Sequence, residues 1–450
     1  MKVNINEFIG EILDKFEKGG FEIYIVGGAV RDVLTGGDVD DWDFTTNATP
    51  EQILKIFPDG FYGNTFGTVG TSHPSSPNPY EITTFRTEHG YSDFRRPDKV
   101  EWGKTIEDDL KRRDFTINAM ALSRAKGKKD EFEVVDLYGG QKDLEAGLIR
   151  AVGDPNERFS EDALRMMRAI RIAAELNFKI EEKTFEAISK NSALINKIAK
   201  ERVKEELFKI FASPNPYEGI VLFKDSGLME EILPEMVKAF GIEQKSPGRH
   251  HIYDVGTHSL LALKACKSKN PLVGFATFIH DIGKPTTYKK EGQAITFYNH
   301  EYVGAKIAQD IAERLRFSNK EKERFVLLVR WHQFTVDERQ TDSAVRRFIR
   351  NVGLENVEDI LTLRVADRLG GGATETSWRL EEFKKRLVEV QKEPFAVKDL
   401  KIDGNDVMGQ LGLKPGPKVG EVLNTLFEEV VEKKVPNEKE ILLKRLKQLT

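Results

Sequence analysis

Apolar residues near the amino terminus of this 450-residue chain recur at the spacing of one helical face. They are Ile5, Phe8, Ile9, Ile12, Leu13 and Phe16. This period predicts a helix over residues 1–18. Short apolar runs in FEIYIVGG, DWDFTT, YGNTFGTVGTSH and YEITTFRT predict strands, with helices at AVRDVLTG and TPEQILKIFP. Thr49 is the expected N-cap of the second of these helices and Pro50 its first residue. Residues 1–140 are therefore predicted to form a small head of mixed strands and helices.

From about residue 150 the pattern becomes helical and stays helical. SEDALRMMRAIRIAAEL, KTFEAISK and IAKERVKEELFKIFA have the period of amphipathic helices, and Ser160 is the expected N-cap of the first. The segment QKSPGRHHIYD is the predicted linker to a second helical domain, which holds six of the eight histidines. We expect an α+β protein in four regions: 1–140, 141–245, 246–385 and 386–450.

Composition narrows the class of protein. Charged residues make up 32% of the chain and apolar residues 39%, which is typical of a globular protein. The net charge is −4, so a nucleic-acid surface would have to come from local basic patches. The single cysteine, Cys266, has no partner for a disulfide, and no apolar run is long enough for a bilayer. The amphipathic, acid-containing amino terminus is not a signal peptide, so we expect a cytoplasmic enzyme without a membrane partner.

Two carboxylates carry the first candidate chemistry. Strand alternation places Asp41 and Asp43 on one face and Trp42 on the other. Neighbouring carboxylates repel each other unless cations lie between them, and Mg²⁺ binds such oxygen ligands and bridges to phosphates. Glu81 on YEITTFR is the candidate third carboxylate. On this motif alone a solvated acidic turn is the more frequent structure, and Glu81 fits an exposed strand position equally well.

The segment VGGAVRD strengthens the catalytic interpretation of that pair. Gly27 and Gly28 lie between a strand and a helix start, where backbone N–H groups approach a phosphate closely. Arg31, one turn into the helix, would bind a triphosphate oxygen. A glycine pair by itself is more often only a tight turn.

A second set of side chains is suited to reading a base. Asp162 and Arg165 are three residues apart, so a continuous helix would put them on one face. A carboxylate accepts from a base amino group and a guanidinium donates to ring positions, so together they would mimic a Watson–Crick edge. Arg168 and Arg171 continue a basic edge. Glu161 and Asp162 also complement a helix dipole, which is a purely structural explanation.

These segments carry a family resemblance in order from residue 20 to 245. GGAVRD followed by DxD resembles the polymerase-beta-type nucleotidyltransferase head, and RRDFTINAMA and EDxxR resemble motifs of class II tRNA nucleotidyltransferases and bacterial poly(A) polymerases. The resemblance implies two Mg²⁺ ions at the Asp pair and a nucleotide held by Arg113, Asp114 and Asn118. It also implies that Asp162 and Arg165 select C or A. RTEHGYSDFRRPDKVEW lies where the family has a flexible loop. A basic helix is a candidate RNA contact through Lys197, Lys200, Arg202, Lys204 and Lys209.

The second helical domain resembles an HD domain. The matching residues are His258, His280, Asp281, His300, His332 and Asp367. Imidazole with carboxylate binds divalent metals, and this ligand set leaves the identity of the metal open. The resemblance implies a phosphohydrolase acting on cyclic or terminal phosphates of RNA. His250 and His251 lie in the linker and are expected to bind nothing.

The predicted activity is addition of CCA to the 3′ end of tRNA from CTP and ATP, with phosphohydrolysis at the HD site. The full-length loop at 86–103 disfavours an enzyme restricted to CC, because by resemblance such enzymes lack it. An A-adding enzyme and a poly(A) polymerase stay open, although the basic segment associated with the latter is not found. A phosphohydrolase whose head only binds RNA is the alternative from another class. The oligomeric state stays open.

Overall fold

The computed structural model describes residues 1–448 except 4, 40, 63–66, 73–78, 91–98, 129–130, 245–252, 293, 335–340, 391–396 and 433. Most of the predicted linker, with His250 and His251, lies outside the described residues. The centre of the predicted flexible loop lies outside them as well. Among the described helices, none is both long and apolar enough to cross a bilayer. The chain divides into two units. One contains Met1–Gly241, Lys269–Phe275 and Asp310–Asn319, and the other contains the remainder.

The first unit begins with the head, whose elements alternate along the chain. Its helices are α1 (Glu7–Lys18), α2 (Gly28–Thr35), α3 (Pro50–Ile56) and α4 (Ile106–Lys111). Its strands are β1 (Ile23–Val26), β2 (Asp43–Thr46), β3 (Phe61–Tyr62), β4 (Thr68–Thr71), β5 (Tyr80–Thr84), β6 (Arg86–His89), β7 (Lys99–Trp102), β8 (Met120–Arg124) and β9 (Phe132–Asp136). Seven strands form one sheet in the order β3-β4-β5-β2-β1-β8-β9, and β6 pairs with β7. Strand β2 is antiparallel to β1 and parallel to β5.

Local sequence signals set the ends of two head helices. The predicted amino-terminal helix is too long at its start, because α1 begins only after Asn6, whose side chain accepts from the Ile9 amide. The preceding residues join the sheet edge, where the Met1 amino group donates to the Phe132 carbonyl at 2.7 Å. For α3 the prediction is confirmed: Thr49 is the N-cap of a capping box and Pro50 opens the helix.

The rest of the first unit is mainly helical, as predicted. Its elements are α5 (Gly140–Glu145), β10 (Leu148–Ile149), α6 (Pro155–Glu161), α7 (Leu164–Leu176), β11 (Lys179–Ile180), α8 (Glu182–Asn191), α9 (Lys200–Ala212), α10 (Pro216–Asp225), α11 (Leu228–Ile232) and α12 (Pro234–Val237). The N-cap expected at Ser160 is wrong. Ser160 lies inside α6, where its hydroxyl donates back to the Asn156 carbonyl, and Asp154 is the cap instead. An aspartate followed by proline is an equally good start signal, and it comes earlier in the chain.

The second unit contains the later helices and one small hairpin. Its elements, with α14 and α16 shared between the units, are α13 (Val255–Ala265), α14 (Pro271–Ile279), α15 (Lys284–Thr287), β12 (Lys289–Glu291), β13 (Ala294–Thr296), α16 (His300–Arg314), α17 (Asn319–Trp331), α18 (Asp342–Val352), α19 (Val357–Gly370), α20 (Trp378–Glu389), α21 (Gly404–Leu411), α22 (Pro417–Val431) and α23 (Lys439–Leu446). The last three helices enclose an apolar core of their own around Val407, Leu426 and Leu442. A mixed head followed by helices confirms the predicted α+β class.

Candidate active site and candidate metal centre

Adjacent parallel strands bring acidic side chains together at one edge of the head. Asp43 on β2 is in register with Glu81 on β5, and Asp41 lies exposed two residues before Asp43. Trp42 between the two aspartates is buried, as strand alternation predicts. Burial and the Asp41 and Glu81 carboxylates raise the pKa of Asp43, the Arg113 guanidinium lowers it, and the net result is a pKa of about 6. This oxygen-only donor set lacks positive charge and fits Mg²⁺.

The predicted glycine turn lies directly beside Asp43. Gly27 has a φ of 73°, a left-handed conformation that favours glycine. A Cβ built on Gly27 would be 3.4 Å from Asp43 Oδ2 and 3.5 Å from Arg113 Nη1. Helix α2 starts at Gly28 without a side-chain cap, so its first N–H groups are positioned for an anion next to the carboxylates.

A chain of polar contacts connects α2 of the head to helix α7, which follows the head in the first unit. Arg31 donates to Asp32 at 2.9 Å and to the Asn118 side-chain oxygen at 3.2 Å. Asn118 in turn donates to Asp114 at 3.5 Å, and Arg168 on α7 donates to Asp114 through two nitrogens at 2.5 and 2.8 Å. Burial alone would raise the pKa of Asp114, but Arg168 outweighs it and lowers that pKa to about 2. The four residues predicted at separate motifs are thus one connected network.

Sequence reasoning missed the residue that holds the arginine pair of RRDFTINAMA. Asp109 on α4 is fully buried and accepts from Arg112 at 2.6 Å and from Arg113 at 3.0 Å. The pKa of this carboxyl is lowered because the two guanidinium groups outweigh its burial. The available signal was the spacing of three and four residues between an acid and two arginines at the end of a helix.

The prediction that one continuous helix carries Asp162 and Arg165 on the same face is wrong. The helix is not continuous: α6 ends at Glu161, and Asp162 has an extended φ of −136° before α7 starts. Asp162 lies 3.5 Å from Arg202 of α9. Arg165 donates to Glu161 at 2.7 Å and to the carbonyl of Arg112 at 3.0 Å. Both side chains therefore lie at a junction between helices, and their role in reading a base stays a prediction.

Much of the predicted basic surface is paired with acids. Arg171 donates to Glu206 at 2.7 Å and to Glu175 at 2.9 Å, and Lys209 lies 3.4 Å from Glu206. These contacts tie α7 to α9, because Glu206 is buried between them. An RNA contact through this helix stays a prediction.

The second unit gathers the six residues predicted for a metal site into two adjoining groups. The groups are His258, His280 and Asp367, and Asp281, His300 and His332. Asp281 lies between them: Oδ2 is 3.2 Å from His280 Nε2, and Oδ1 is 3.3 Å from His300 Nε2. The Nε2 atoms of His258 and His280 lie 3.2 Å apart in the first group, and those of His300 and His332 lie 3.3 Å apart in the second. All six predicted positions thus converge, from α13, α16 and α19 and from the turns that follow α14 and α17.

Main-chain carbonyls orient three of these rings. Nδ1 of His280, His300 and His332 lies 2.7–2.8 Å from the carbonyl oxygen three residues earlier. A carbonyl only accepts, so each Nδ1 must donate, and the Nε2 of a neutral ring then presents a lone pair to the cluster. This is the arrangement of histidines that bind metal. Burial opposes protonation of His280, yet Asp281 and Asp367 raise its pKa to about 10, so the donor set favours added positive charge.

Two glycines permit the close helix contacts behind this cluster. A Cβ on Gly283 would lie 2.1 Å from the His300 carbonyl oxygen, where the turn after α14 meets α16. A Cβ on Gly370 of α19 would lie 2.5 Å from the Ala262 amide nitrogen of α13. These approaches let His300 reach Asp281 and let His258 reach Asp367, at 3.1 Å.

A cavity of about 680 Å³ opens onto the cluster. Sequence reasoning missed its cationic lining, Lys284, Arg364 and Arg368. Lys284 is buried and lies 2.5 Å from Asp281 and from the Gln244 side-chain oxygen. Spacing was the available signal, because Lys284 follows Asp281 by one turn and Arg364 precedes Asp367 by one turn. Such a lining suits an anionic ligand.

Three family models match successive parts of the chain. The "Poly A polymerase head domain" matches residues 23–150. The "Probable RNA and SrmB- binding site of polymerase A" matches residues 177–240, and "tRNA nucleotidyltransferase domain 2" matches residues 287–446. The first covers Arg31, Asp114 and Asn118 of the head network, and the second begins just after α7, which supplies Arg168.

Curated relatives are similar to the chain along most of its length. A CCA-adding enzyme of Ligilactobacillus salivarius is 36% identical over 441 residues, which cover 97% of this chain and 95% of the relative. A CCA-adding enzyme of Latilactobacillus sakei is also 36% identical, over 97% of this chain and 96% of the relative.

Solved structures have the same fold. The Bacillus stearothermophilus CCA-adding enzyme in complex with CTP aligns with a TM-score of 0.69 and 26% identity, over 98% of this chain and 96% of that one. The Thermotoga maritima CCA-adding enzyme complexed with tRNA aligns with a TM-score of 0.62 and 20% identity, over 99% and 97%.

Proposed function

This chain belongs to the family of CCA-adding enzymes, and we therefore propose that it adds C, C and A in turn to the 3′ end of tRNA from CTP and ATP. The observation that carries the proposal is the acidic cluster of Asp41, Asp43 and Glu81 beside the glycine turn. Relatives that cover the whole chain carry the same activity in their names, which favours CCA addition over A addition or poly(A) synthesis.

In the proposed reaction the three carboxylates would hold Mg²⁺, which would supply positive charge for the phosphates and for the attacking hydroxyl. The first N–H groups of α2, with Arg31 and Arg113, bind the triphosphate. The 3′-hydroxyl oxygen of the RNA bonds to the α-phosphorus, the bond to the pyrophosphate breaks and pyrophosphate leaves, and the hydroxyl proton passes to solvent water. Asp109 keeps Arg113 in position through its ion pair at 3.0 Å.

Selection of C and A is proposed for Asp162 and Arg165. The donors of Arg165 that contact Glu161 and the Arg112 carbonyl would exchange to the edge of an incoming base. Asp162 and Arg165 lie at the junction of α6 and α7, where the Arg165 side chain reaches the RRDFTINAMA segment through the Arg112 carbonyl. A base lacking the matching donors and acceptors would leave these polar groups unpaired, which disfavours its binding.

One assay tests the head. We expect a tRNA ending at the discriminator base to gain C from CTP alone and CCA from CTP with ATP. Addition of only one A to a CC end would instead indicate an A-adding enzyme, and long A tracts on unrelated RNA a poly(A) polymerase. Replacing Asp41 and Asp43 with Ala should abolish incorporation. Incorporation that survives this double substitution contradicts the proposed site.

A second activity, hydrolysis of phosphate esters, is proposed for the residues around Asp281. Its support is the pair of metal-binding groups, whose His280, His300 and His332 rings are held with Nε2 toward the cluster. A divalent metal bound there would activate water and polarise the phosphate. Water supplies the oxygen that bonds to phosphorus, one ester P–O bond breaks, and the leaving oxygen takes up a proton. Lys284 and Arg364 would hold the phosphate oxygens.

The two activities are separable by mutation. His280→Ala with Asp281→Ala should abolish hydrolysis of phosphate esters and leave nucleotide incorporation in place. The Asp41→Ala and Asp43→Ala chain should show the reverse. Hydrolysis that persists without His280 and Asp281 means that the second site is misassigned. Hydrolysis without any incorporation by the unmodified chain would favour a phosphohydrolase whose head only binds RNA.

A further inference from the structure

A single aromatic side chain stands exposed at the mouth of the cavity above the metal-binding groups. Tyr298 lines this cavity and is 75% exposed, the highest value among the exposed large hydrophobic side chains of the described residues. Because the ring lies beside a cavity lined by charged groups, its exposed face can pack against an apolar, flat part of a ligand held there.

The backbone holds Tyr298 in this position. The next residue, Asn299, has a φ of 62°, a left-handed conformation that asparagine adopts more readily than most residues other than glycine. Its carbonyl accepts from the amides of Tyr302 and Val303 at 3.1 and 3.2 Å, which fixes it at the start of α16. His300, one residue further, lies in the cluster with Nδ1 bonded to the Phe297 carbonyl. This left-handed turn places His300 in the cluster and Tyr298 in the lining of the cavity.

The rest of the cavity specifies the other end of the ligand. Lys284 and Arg364 are ion-paired with Asp281 and Asp367 in the cavity lining, and with Arg368 they provide N–H donors that a phosphate could bind. A volume of about 680 Å³ accommodates more than a phosphate alone. A molecule that joins a phosphate to a flat aromatic ring matches both ends, and a nucleotide is such a molecule.

We propose that Tyr298 is the stacking platform for the nucleobase next to the phosphate that the second site hydrolyses. This inference rests on the proposed phosphohydrolase function and adds a specificity-determining residue to it. The ring accepts any base, because stacking does not depend on hydrogen-bond donors or acceptors. The base belongs either to a free nucleotide or to the last residue of an RNA, and both sources present the same chemistry.

Steady-state hydrolysis by Tyr298→Ala, Tyr298→Phe and the unmodified chain tests the platform. The substrates are adenosine 2′,3′-cyclic phosphate and methyl riboside 2,3-cyclic phosphate, which has no base. We expect Tyr298→Ala to raise the KM for the adenosine ester about tenfold with little change in kcat. The KM for the baseless ester should not change, and Tyr298→Phe should behave as the unmodified chain. An oligoribonucleotide with a 2′,3′-cyclic end shows whether RNA ends use the same platform.

Tyr302 offers a matched control on the same helix. It is 57% exposed but stacks under Arg330, whose guanidinium carbon is 3.4 Å from the ring centroid, and it does not line the cavity. Tyr302→Ala should leave the KM of both esters unchanged. Calorimetric titration of metal-free protein with adenosine 3′-monophosphate gives a readout independent of turnover, and Tyr298→Ala should weaken this binding about tenfold. Any binding of the nucleotide by the head should be the same in every variant, so a difference between variants reports on the cavity.

Results that overturn only the role of Tyr298 are distinguishable from a result that overturns the proposed hydrolase function. If the unmodified chain hydrolyses both esters but Tyr298→Ala raises both KM values equally, or neither, the ring is not a base platform. The same conclusion follows if Tyr298→Phe is as impaired as Tyr298→Ala. If the unmodified chain hydrolyses neither ester with Mg²⁺, Mn²⁺, Co²⁺ or Ni²⁺, the proposed hydrolase function is wrong and the inference falls with it.

Discussion

At the scale of single residues, the head holds charges that oppose folding beside charges that support it. Asp43 is a carboxylate with a raised pKa, because it is largely buried near Asp41 and Glu81. Asp114 is a buried carboxylate with a lowered pKa, because Arg168 is bonded to it through two nitrogens. The raised pKa of Asp43 suits a site that binds a cation. The ion pair of Asp114 with Arg168 connects the head to helix α7. These opposite shifts make two separate predictions.

Asp43→Asn should stabilise the metal-free protein at neutral pH. The folded-state pKa of about 6 exceeds the ordinary 3.8, so the stability that Asp43 contributes is full below pH 4 and is lost as pH rises through 6. Removing the charge should raise the free energy of unfolding by about 2 kcal/mol at pH 8 and by little at pH 3.5. Thermal unfolding in a chelator measures this, with exposed Asp59→Asn as the control. An equal gain at both pH values would contradict the assignment.

Arg168→Ala should destabilise the protein, because it leaves the buried Asp114 carboxylate without its cation. The loss should be about 2 kcal/mol, reduced from that of a fully buried pair because the Arg168 side chain is 35% exposed. The pKa of Asp114 is lowered to about 2, so the contribution is present above pH 4 and is lost as pH falls toward 2.

Urea unfolding at pH 7 and pH 2 compares the stability with Asp114 ionised and the stability after most of its contribution is lost. The control is Arg347→Ala, which removes a surface pair of 3.8 Å with a 56% exposed side chain and should change stability little. A similar loss of stability in both variants would mean that the pair of Arg168 with Asp114 contributes no more than a surface ion pair.

At the scale of helices and strands, prediction succeeded where the signal was local. The capping box of α3 involves residues three apart, so the sequence alone contained it. The contact of Asp43 with Glu81 depends on the pairing of β2 with β5, which local pattern does not specify. Asp162 was placed on a helix because its neighbours on both sides are helical, yet Asp154 starts α6 early and the helix ends before it. Competing start signals, rather than propensity, decided that junction.

Gly370→Ala should weaken metal binding at the second site by about tenfold or more. The added methyl group would lie 2.5 Å from the backbone of α13, so α13 and α19 must separate, and with them His258 and Asp367. Calorimetry with Mn²⁺ measures the affinity, and circular dichroism checks that the chain is folded.

Gly409→Ala in α21 is the matched control for this change. No atom lies within 4 Å of its added Cβ, so the substitution should only raise helix propensity and stabilise by about 0.5–1 kcal/mol. Unchanged Mn²⁺ affinity in Gly370→Ala would show that the helix approach does not set the geometry of the cluster.

At the scale of the whole molecule, one chain contains two donor sets with different preferences for metals. The head set consists only of carboxylate oxygens, and the second set contains four imidazole nitrogens. The class of each set was predictable from residue types, because carboxylates and histidines recur in motif order. The contact between Lys284 and Gln244 was not predictable, since the two residues are 40 positions apart in the sequence and meet only in the folded chain.

Removal of metal should therefore separate the two activities without any mutation. After dialysis against a chelator, Mg²⁺ alone should restore nucleotide incorporation, because hard oxygen donors suit it. Hydrolysis of phosphate esters should recover fully only with Mn²⁺, Co²⁺ or Ni²⁺, which imidazole binds more tightly. Parallel assays of both reactions on one sample measure this. Equal recovery of both with Mg²⁺ would contradict the distinction between the donor sets.

The carbonyl contacts of His280, His300 and His332 also bear on how such a centre changes during evolution. The acceptor that orients each ring is main chain, three residues earlier, and side-chain replacement at that position leaves the oxygen in place. Drift in the surrounding sequence therefore spares the orientation of the rings. Descendants that abandon this chemistry should show substitutions at the histidines and aspartates themselves, while the scaffold behind them stays recognisable.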